Sequence, residues 1–415
     1  MRYVRLPNTG QVLAACIVLW LNAGIYSYVQ RVVPGVAMYC LFGVWIISAL
    51  KKDTFRKEFT RIVLQTIPVF ILLFFVQFCI HQSSLTKNYI MIMVYVVIIR
   101  SITLYYWNDS YAKRFLVFVW GIDVGFVVIN TFVHIKMNPM IIRNMSANAA
   151  VFESLFGGKV YAVAAYSNIL CYVVAVLFMF SRIVNKSIKS SWREVVAIGI
   201  LTLLIFKSQI GLLIVLTIVG LLFIAISGFF RTDKSLICFG IVTLIVASIL
   251  YRFLPSIFSF ISSIEMLPDL LRIKAADAGI ILSGSTADLK DASVRMQQYE
   301  NDINSFLANP IFGTKGDNST IGGHSTWIDL LGMYGLFALI VVNWQIMILK
   351  DIAEMVVKEE RKIVVAILSV FTLLGLIDPI FFPNVYMTLV MVIPYMSYIN
   401  RENNVRERID ESVGN

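Results

Sequence analysis

Residues 209–230 read QIGLLIVLTIVGLLFIAISGFF, twenty-two positions without a single charge. A run of that length and character is a bilayer-spanning helix, because about 20 apolar residues cover the hydrocarbon core at 1.5 Å per residue. Working outward, the same pattern recurs along the chain. Runs at about 11–29, 32–50, 62–80, 89–107, 113–133, 161–180, 194–206, 235–254, 325–349, 362–382 and 385–399 bring the total to about twelve transmembrane helices. The seventh and eighth meet at Lys207-Ser208-Gln209, where polar residues interrupt the apolar stretch. The expected fold is an all-α polytopic membrane protein, because a membrane barrel would show alternation in segments of roughly ten residues.

Composition agrees. Of 415 residues, 59% are hydrophobic and 14% charged, with mean hydropathy +0.80. A soluble domain carries about 25% charged residues, so a soluble enzyme, a nucleic-acid module and a disordered chain are excluded. The five cysteines lie in or beside apolar runs without a CxxC, which fits helix packing and not a disulfide framework. The N-terminal MRYVRLPNTGQ leads into apolar sequence without a small-residue cleavage site, as expected of an uncleaved first span. The net charge of +10 resolves by position: with the N-terminus inside, inner segments hold 22 Lys and Arg and outer segments 12. Both termini are then cytoplasmic.

The layout is asymmetric. Spans one to nine fill 1–254, a long hydrophilic loop fills 255–323 on the outer face, spans ten to twelve fill 324–400, and 401–415 form a cytoplasmic tail. A large outer loop fits chemistry at the outer surface better than solute passage. After Pro268, DLLRIKAADAGIIL has helical spacing and ends at Gly284. Asp288 to Asn309 reads as a second amphipathic helix with Tyr299, Ile303, Phe306 and Leu307 on its apolar stripe, stopped by Asn309-Pro310. A glycine-rich turn then delivers His324 to the outer end of span ten.

Several residues on this face are candidates. Arg295 offers a fork-shaped guanidinium suited to phosphate, against the plainer reading of an exposed residue paired with Asp291. Lys207 and Arg272 add positive charge for a diphosphate, although Lys207 is also read as an interfacial lysine reaching for water. His324 can move a proton near neutral pH or simply cap its span. Asp378, in LIDPIFFPN, is placed to orient His324 or to bond a helix end, and Ser325 and Tyr299 are supporting residues. Asp123 and Arg100 lie within spans, where charges seek a cavity or each other, so a structural pair between them is at least as expected as a functional role. HExxH, GxSxG, P-loop, Rossmann, zinc-ligand and DxD patterns are absent, so the expected reaction runs without a metal or other cofactor.

The segments VRMQQYENDINSFLANPIFGTKGDN (294–318) and GGHSTWIDLLGMYGLFALI (322–340) carry a resemblance. With Arg295 on a loop helix, Asn309-Pro310-Ile311-Phe312-Gly313, His324-Ser325, and Gly332 with Gly335, they are similar to the signature of the bacterial O-antigen ligase and polymerase superfamily. About fifty residues carry the sharp match, and the twelve-span layout extends it. Where the family shows Ser-Arg or Ser-Lys between spans seven and eight, this chain has Ser208-Gln209 with Lys207 before it.

The resemblance implies a metal-independent, inverting glycosyltransferase of the bacterial cytoplasmic (inner) membrane. Its donor and acceptor would be undecaprenyl-diphosphate-linked oligosaccharides. Arg295, with Lys207 or Arg272, would bind the diphosphate and His324 would accept the proton of the acceptor hydroxyl. Other partners would be membrane lipid, a chain-length regulator and the flippase of the same pathway; nucleic acid is not among them. His324 is followed by Ser, which favours a repeat-unit polymerase of O-antigen or capsular polysaccharide over a ligase acting on lipid A core. A lipid-linked saccharide flippase is the alternative of another class. The long loop is no basic patch: its eight acidic residues outnumber its basic ones.

Overall fold

The computed structural model describes residues 6–22, 24–30, 32–146, 162–184, 192–227, 258–265, 267, 269–282 and 290–399. At 226–227, 270, 277–282 and 290–296 the description covers the backbone alone. Among the described residues 81% are helical and none lies in a strand. The helices are α1 Thr9–Asn22, α2 Gly35–Ala49, α3 Asp53–Ile80, α4 Ser84–Tyr105, α5 Ser110–Met137, α6 Tyr166–Val184, α7 Trp192–Lys207 and α8 Gly211–Ser227. They continue with α9 Asp269–Leu282, α10 Lys290–Ala308, α11 Thr326–Met355, α12 Lys358–Leu374 and α13 over 383–399. Five of them (α3, α4, α5, α6 and α11) are long and apolar enough to cross a membrane. The expected ninth span, 235–254, and the tail 401–415 lie outside the described residues.

The core is apolar, but much of the outside is apolar too, unlike a water-soluble bundle. Ile71, Phe78, Phe118 and Ile129 are each about two-thirds exposed, while Gln11, Arg100, Asp123, Arg182 and Gln345 are buried. Apolar side chains facing outward and polar groups facing inward are compatible with a membrane protein.

The expected boundaries shift where polar groups intervene. The first run was expected to stay helical to residue 29, yet α1 stops at Asn22. Asp123 on α5 explains the stop. Its carboxylate accepts from Asn22 Nδ2 at 2.6 Å, from Gly24 N–H at 3.2 Å and from Ile25 N–H at 2.6 Å. A Cβ on Gly24 would meet the carboxylate and Val127 Cγ2, so one of them would have to shift. The expected Asp123–Arg100 pair is therefore corrected. Arg100 instead bonds Asp351 on α11 and, at 2.7 Å, Gln65 on α3. A second inward cation, Arg182 on α6, lies 3.0 Å from Glu194 on α7 and 3.6 Å from Glu360 on α12, joining three helices.

Caps set several starts. Ser83 accepts from Thr86 N–H at 3.4 Å, and Asp109 from Ala112 N–H at 3.0 Å. α11 is interrupted at Gly335, whose φ of +58° only glycine adopts freely, and a short 3-10 turn over Gly335–Phe337 follows. α12 ends at Leu374, earlier than expected, and 375–382 runs without helix into Pro383 at the start of α13.

Candidate functional site

The ends of α1, α3, α5 and α12 and the starts of α4, α6, α11 and α13 gather at one end of the bundle, and α10 lies there against the first half of α11. Two tethers fix it. Asp302 on α10 accepts from Gly322 N–H at 2.8 Å, holding the turn that precedes His324. Tyr299 donates its hydroxyl to the Ile377 carbonyl at 2.7 Å, one residue before Asp378. Tyr299 was expected on an apolar stripe, and its ring does lie on the docked face, but its hydroxyl makes the link.

The turn after α10 docks on the break in α11. Thr314 N–H donates to Gly332 O at 2.9 Å, Gly316 N–H to Met333 O at 3.0 Å, and Leu336 N–H to Pro310 O at 2.8 Å. Gly313 and Gly335 both have φ of +58°, and a Cβ on either would strike the other segment's backbone. The approach is thus possible only for two glycines, which explains why Asn309–Gly313 and Gly332–Gly335 occur together. The turn also reaches α3 and α4: Asn318 Nδ2 donates to Ser84 Oγ at 3.3 Å, and His81 lies 3.6 Å from Asp317. Hydrogen bonds from Ser319 hold the exposed Asp317 carboxyl below the usual carboxylate range.

His324 follows this turn, half-buried, immediately before α11. Ser325 is the cap of α11. Its Oγ donates to Gly375 O at 3.0 Å and accepts from Ile328 N–H at 3.1 Å, and its N–H donates to Asp329 at 3.2 Å. Trp327 Nε1 donates to Thr372 O at 2.7 Å, and Ile380 N–H to Thr326 Oγ1 at 2.9 Å. These bonds lash the start of α11 to 372–380, the segment that holds Asp378, itself 7% exposed. His324, Asp378, Tyr299 and the helix bearing Arg295 are therefore brought to one place. The backbone at Arg295 lies two turns before Asp302 on α10; its side chain is outside the described residues.

Two expected diphosphate ligands are placed differently. Arg272 on α9 is engaged locally, with Nη1 3.3 Å from Asp269 and Nε donating to Ser262 O at 3.2 Å. Lys207 is the exposed last residue of α7. Beyond it Ser208 is buried, its hydroxyl donating to Ile205 O at 2.6 Å, and Gln209 turns the chain at φ +56°. Neither residue has a described contact with α10 or His324.

Sequence reasoning missed a buried acid pair. Asp302 and Asp329 are 1% and 2% exposed, and Asp302 Oδ2 and Asp329 Oδ1 are each buried without a hydrogen-bond partner among the described residues. Ionised carboxylates only accept, so a bond between the two would require that one carry a proton. Burial raises Asp302 above the usual carboxylate range; Asp329, the bond from Gly322 and the nearby His324 imidazole oppose that rise. Only the seven-residue spacing of Arg295 and Asp302, and the four-residue spacing of Ser325 and Asp329, hinted at shared helix faces. No protein-family model matches the chain, and no curated protein matches it either.

Proposed function

We propose that this protein polymerises undecaprenyl-diphosphate-linked oligosaccharide repeat units at the outer face of a bacterial cytoplasmic membrane. In this reading it is a polytopic protein of about twelve spans with both termini inside. One observation carries the proposal: the scattered pieces of the resemblance meet in space. The Asn309–Gly313 turn closes on the Gly332–Gly335 break, and that contact sets α10 beside His324.

The chemistry follows from the groups assembled there. The acceptor hydroxyl oxygen attacks the anomeric carbon of the donor sugar as its bond to the lipid diphosphate breaks, with inversion. His324 takes the hydroxyl proton, and Arg295 bears the charge growing on the leaving diphosphate. A cavity of about 260 Å³ at the same end supports a saccharide substrate. Asn22, Ser27, Gln30, Ser167, Asn168 and Asn384 line it, offering amides and hydroxyls to sugar hydroxyls.

The test is direct. Purified protein supplied with short lipid-diphosphate-linked repeat units should yield a ladder of longer chains. A single addition onto lipid A core, with no ladder, would reassign it as a ligase. Movement of labelled lipid across a vesicle, with no new glycosidic bond, would reassign it as a flippase.

A further inference from the structure

The opposite end of the bundle holds a cavity of about 380 Å³ where α3, α4, α11, α12 and α13 converge. Four cations line it, Arg61, Arg100, Lys358 and Arg361, against two carboxylates, Asp351 and Glu354. Arg100 is 3% exposed. Its Nη2 is satisfied by Gln65 and Asp351, but its Nη1 is buried without a hydrogen-bond partner. A buried guanidinium N–H left unpaired is costly, and the missing partner is an acceptor. Arg61 is balanced by Glu58 at 3.0 Å. Glu354 lies 4.0 Å from Lys350, so the surplus charge belongs to Lys358 and Arg361, both exposed at the rim, Arg361 also donating to the Glu354 carbonyl at 3.5 Å. The remaining wall is apolar, with Leu104, Trp107, Ile352 and Val390.

We propose that this cavity binds a phosphate group, with Arg100 Nη1 donating to it from the floor and Lys358 and Arg361 closing over it at the rim. A guanidinium and two further cations suit a phosphate oxygen set, and the apolar wall suits the glycerol and first acyl carbons of an anionic phospholipid. The site lies at the end of the bundle that carries Lys51, Lys52, Arg56 and Lys57, away from His324. It is independent of the glycosyl-transfer reading.

The experiment titrates three probes into the full-length protein in neutral detergent: dihexanoylphosphatidylglycerol, dihexanoylphosphatidylcholine and inorganic phosphate. The expected result is at least tenfold tighter binding of the phosphatidylglycerol than of the phosphatidylcholine. Lys358→Gln with Arg361→Gln should weaken it at least tenfold while leaving the unliganded Tm unchanged. The two single variants serve if the double variant loses its fold. Inorganic phosphate binding with the same dependence on Lys358 and Arg361 would identify free phosphate as the source. Equal binding of both lipids with none of phosphate, or wild-type affinity in the rim variants, would overturn the proposal.

Discussion

Asp302 of α10 and Asp329 of α11 are buried where α10 docks on α11, 1% and 2% exposed, each with one carboxylate oxygen unpartnered among the described residues. Desolvation of two neighbouring carboxylates favours a proton on the pair. A folded pair that holds one binds a proton that the unfolded chain, with both carboxylates ionised at neutral pH, does not. Burial raises Asp302, so its contribution to stability is full below the ordinary carboxylate pKa and is lost as pH rises through the raised value. Stability should thus fall with rising pH above the carboxylate range, by up to about 1.4 kcal/mol per pH unit for one proton. Asp302→Asn should flatten that slope, because an amide donates to Asp329 at every pH. Thermal unfolding in detergent from acid to mildly alkaline pH reads both; an unchanged slope in Asp302→Asn would refute the shared proton.

A second expectation concerns the contact of turn and broken helix. Gly335→Ala should cost about 1–3 kcal/mol from backbone conformation alone, and more because its Cβ meets the Pro310 and Ile311 backbone. Gly323 is the control. It also has positive φ, +69°, but open space around it, so Gly323→Ala should carry the conformational cost only. Equal losses of Tm in the two variants would show that the close approach is unimportant.

The long helices were legible because each is a sustained apolar run of the length a membrane span needs, and α9 and α10 because Pro268 and Asn309-Pro310 punctuate amphipathic spacing. The partners were not legible. Asp123 pairs with the backbone of a segment 98 or more residues away and Arg100 with Asp351 at a separation of 251, and no local spacing encodes such distances. The same holds for the acid pair: Asp302 resembles any polar residue of an amphipathic helix, and Asp329 resembles a first-turn carboxylate stabilising a helix start. Gly313 and Gly335 look like ordinary turn glycines until the two segments meet. Ser325 was visible in the sequence, but its role as a cap emerged only from its bonds.

The ion cluster of Arg182, Glu194 and Glu360 yields a third expectation. Arg182 is 1% exposed and Glu360 3%. Arg182→Met strands a buried carboxylate and should cost about 3–5 kcal/mol. Adding Glu194→Leu and Glu360→Leu removes the stranded charges and should restore most of the loss. A triple variant as unstable as Arg182→Met would show that packing of the guanidinium, not charge balance, joins α6, α7 and α12.

The last expectation separates the roles proposed for His324 and Arg295. His324 sits at the mouth of α11 near Asp302 and Asp329. Removing a positioned acid–base group lowers rate by about 10²–10⁴-fold, so His324→Ala should all but abolish the ladder. Its helix content should remain wild-type, because the cap at this position is Ser325 and not His324. Arg295 is proposed to act by fork geometry, so Arg295→Lys should lose nearly as much polymerisation as Arg295→Ala although charge is kept. Binding of the lipid-diphosphate donor should weaken in both Arg295 variants and stay near normal in His324→Ala, since a base contributes to the reacting step and a diphosphate ligand to both. An active Arg295→Lys enzyme would reduce that residue to a point charge, and donor binding lost equally in His324→Ala would make His324 a ligand and not a base.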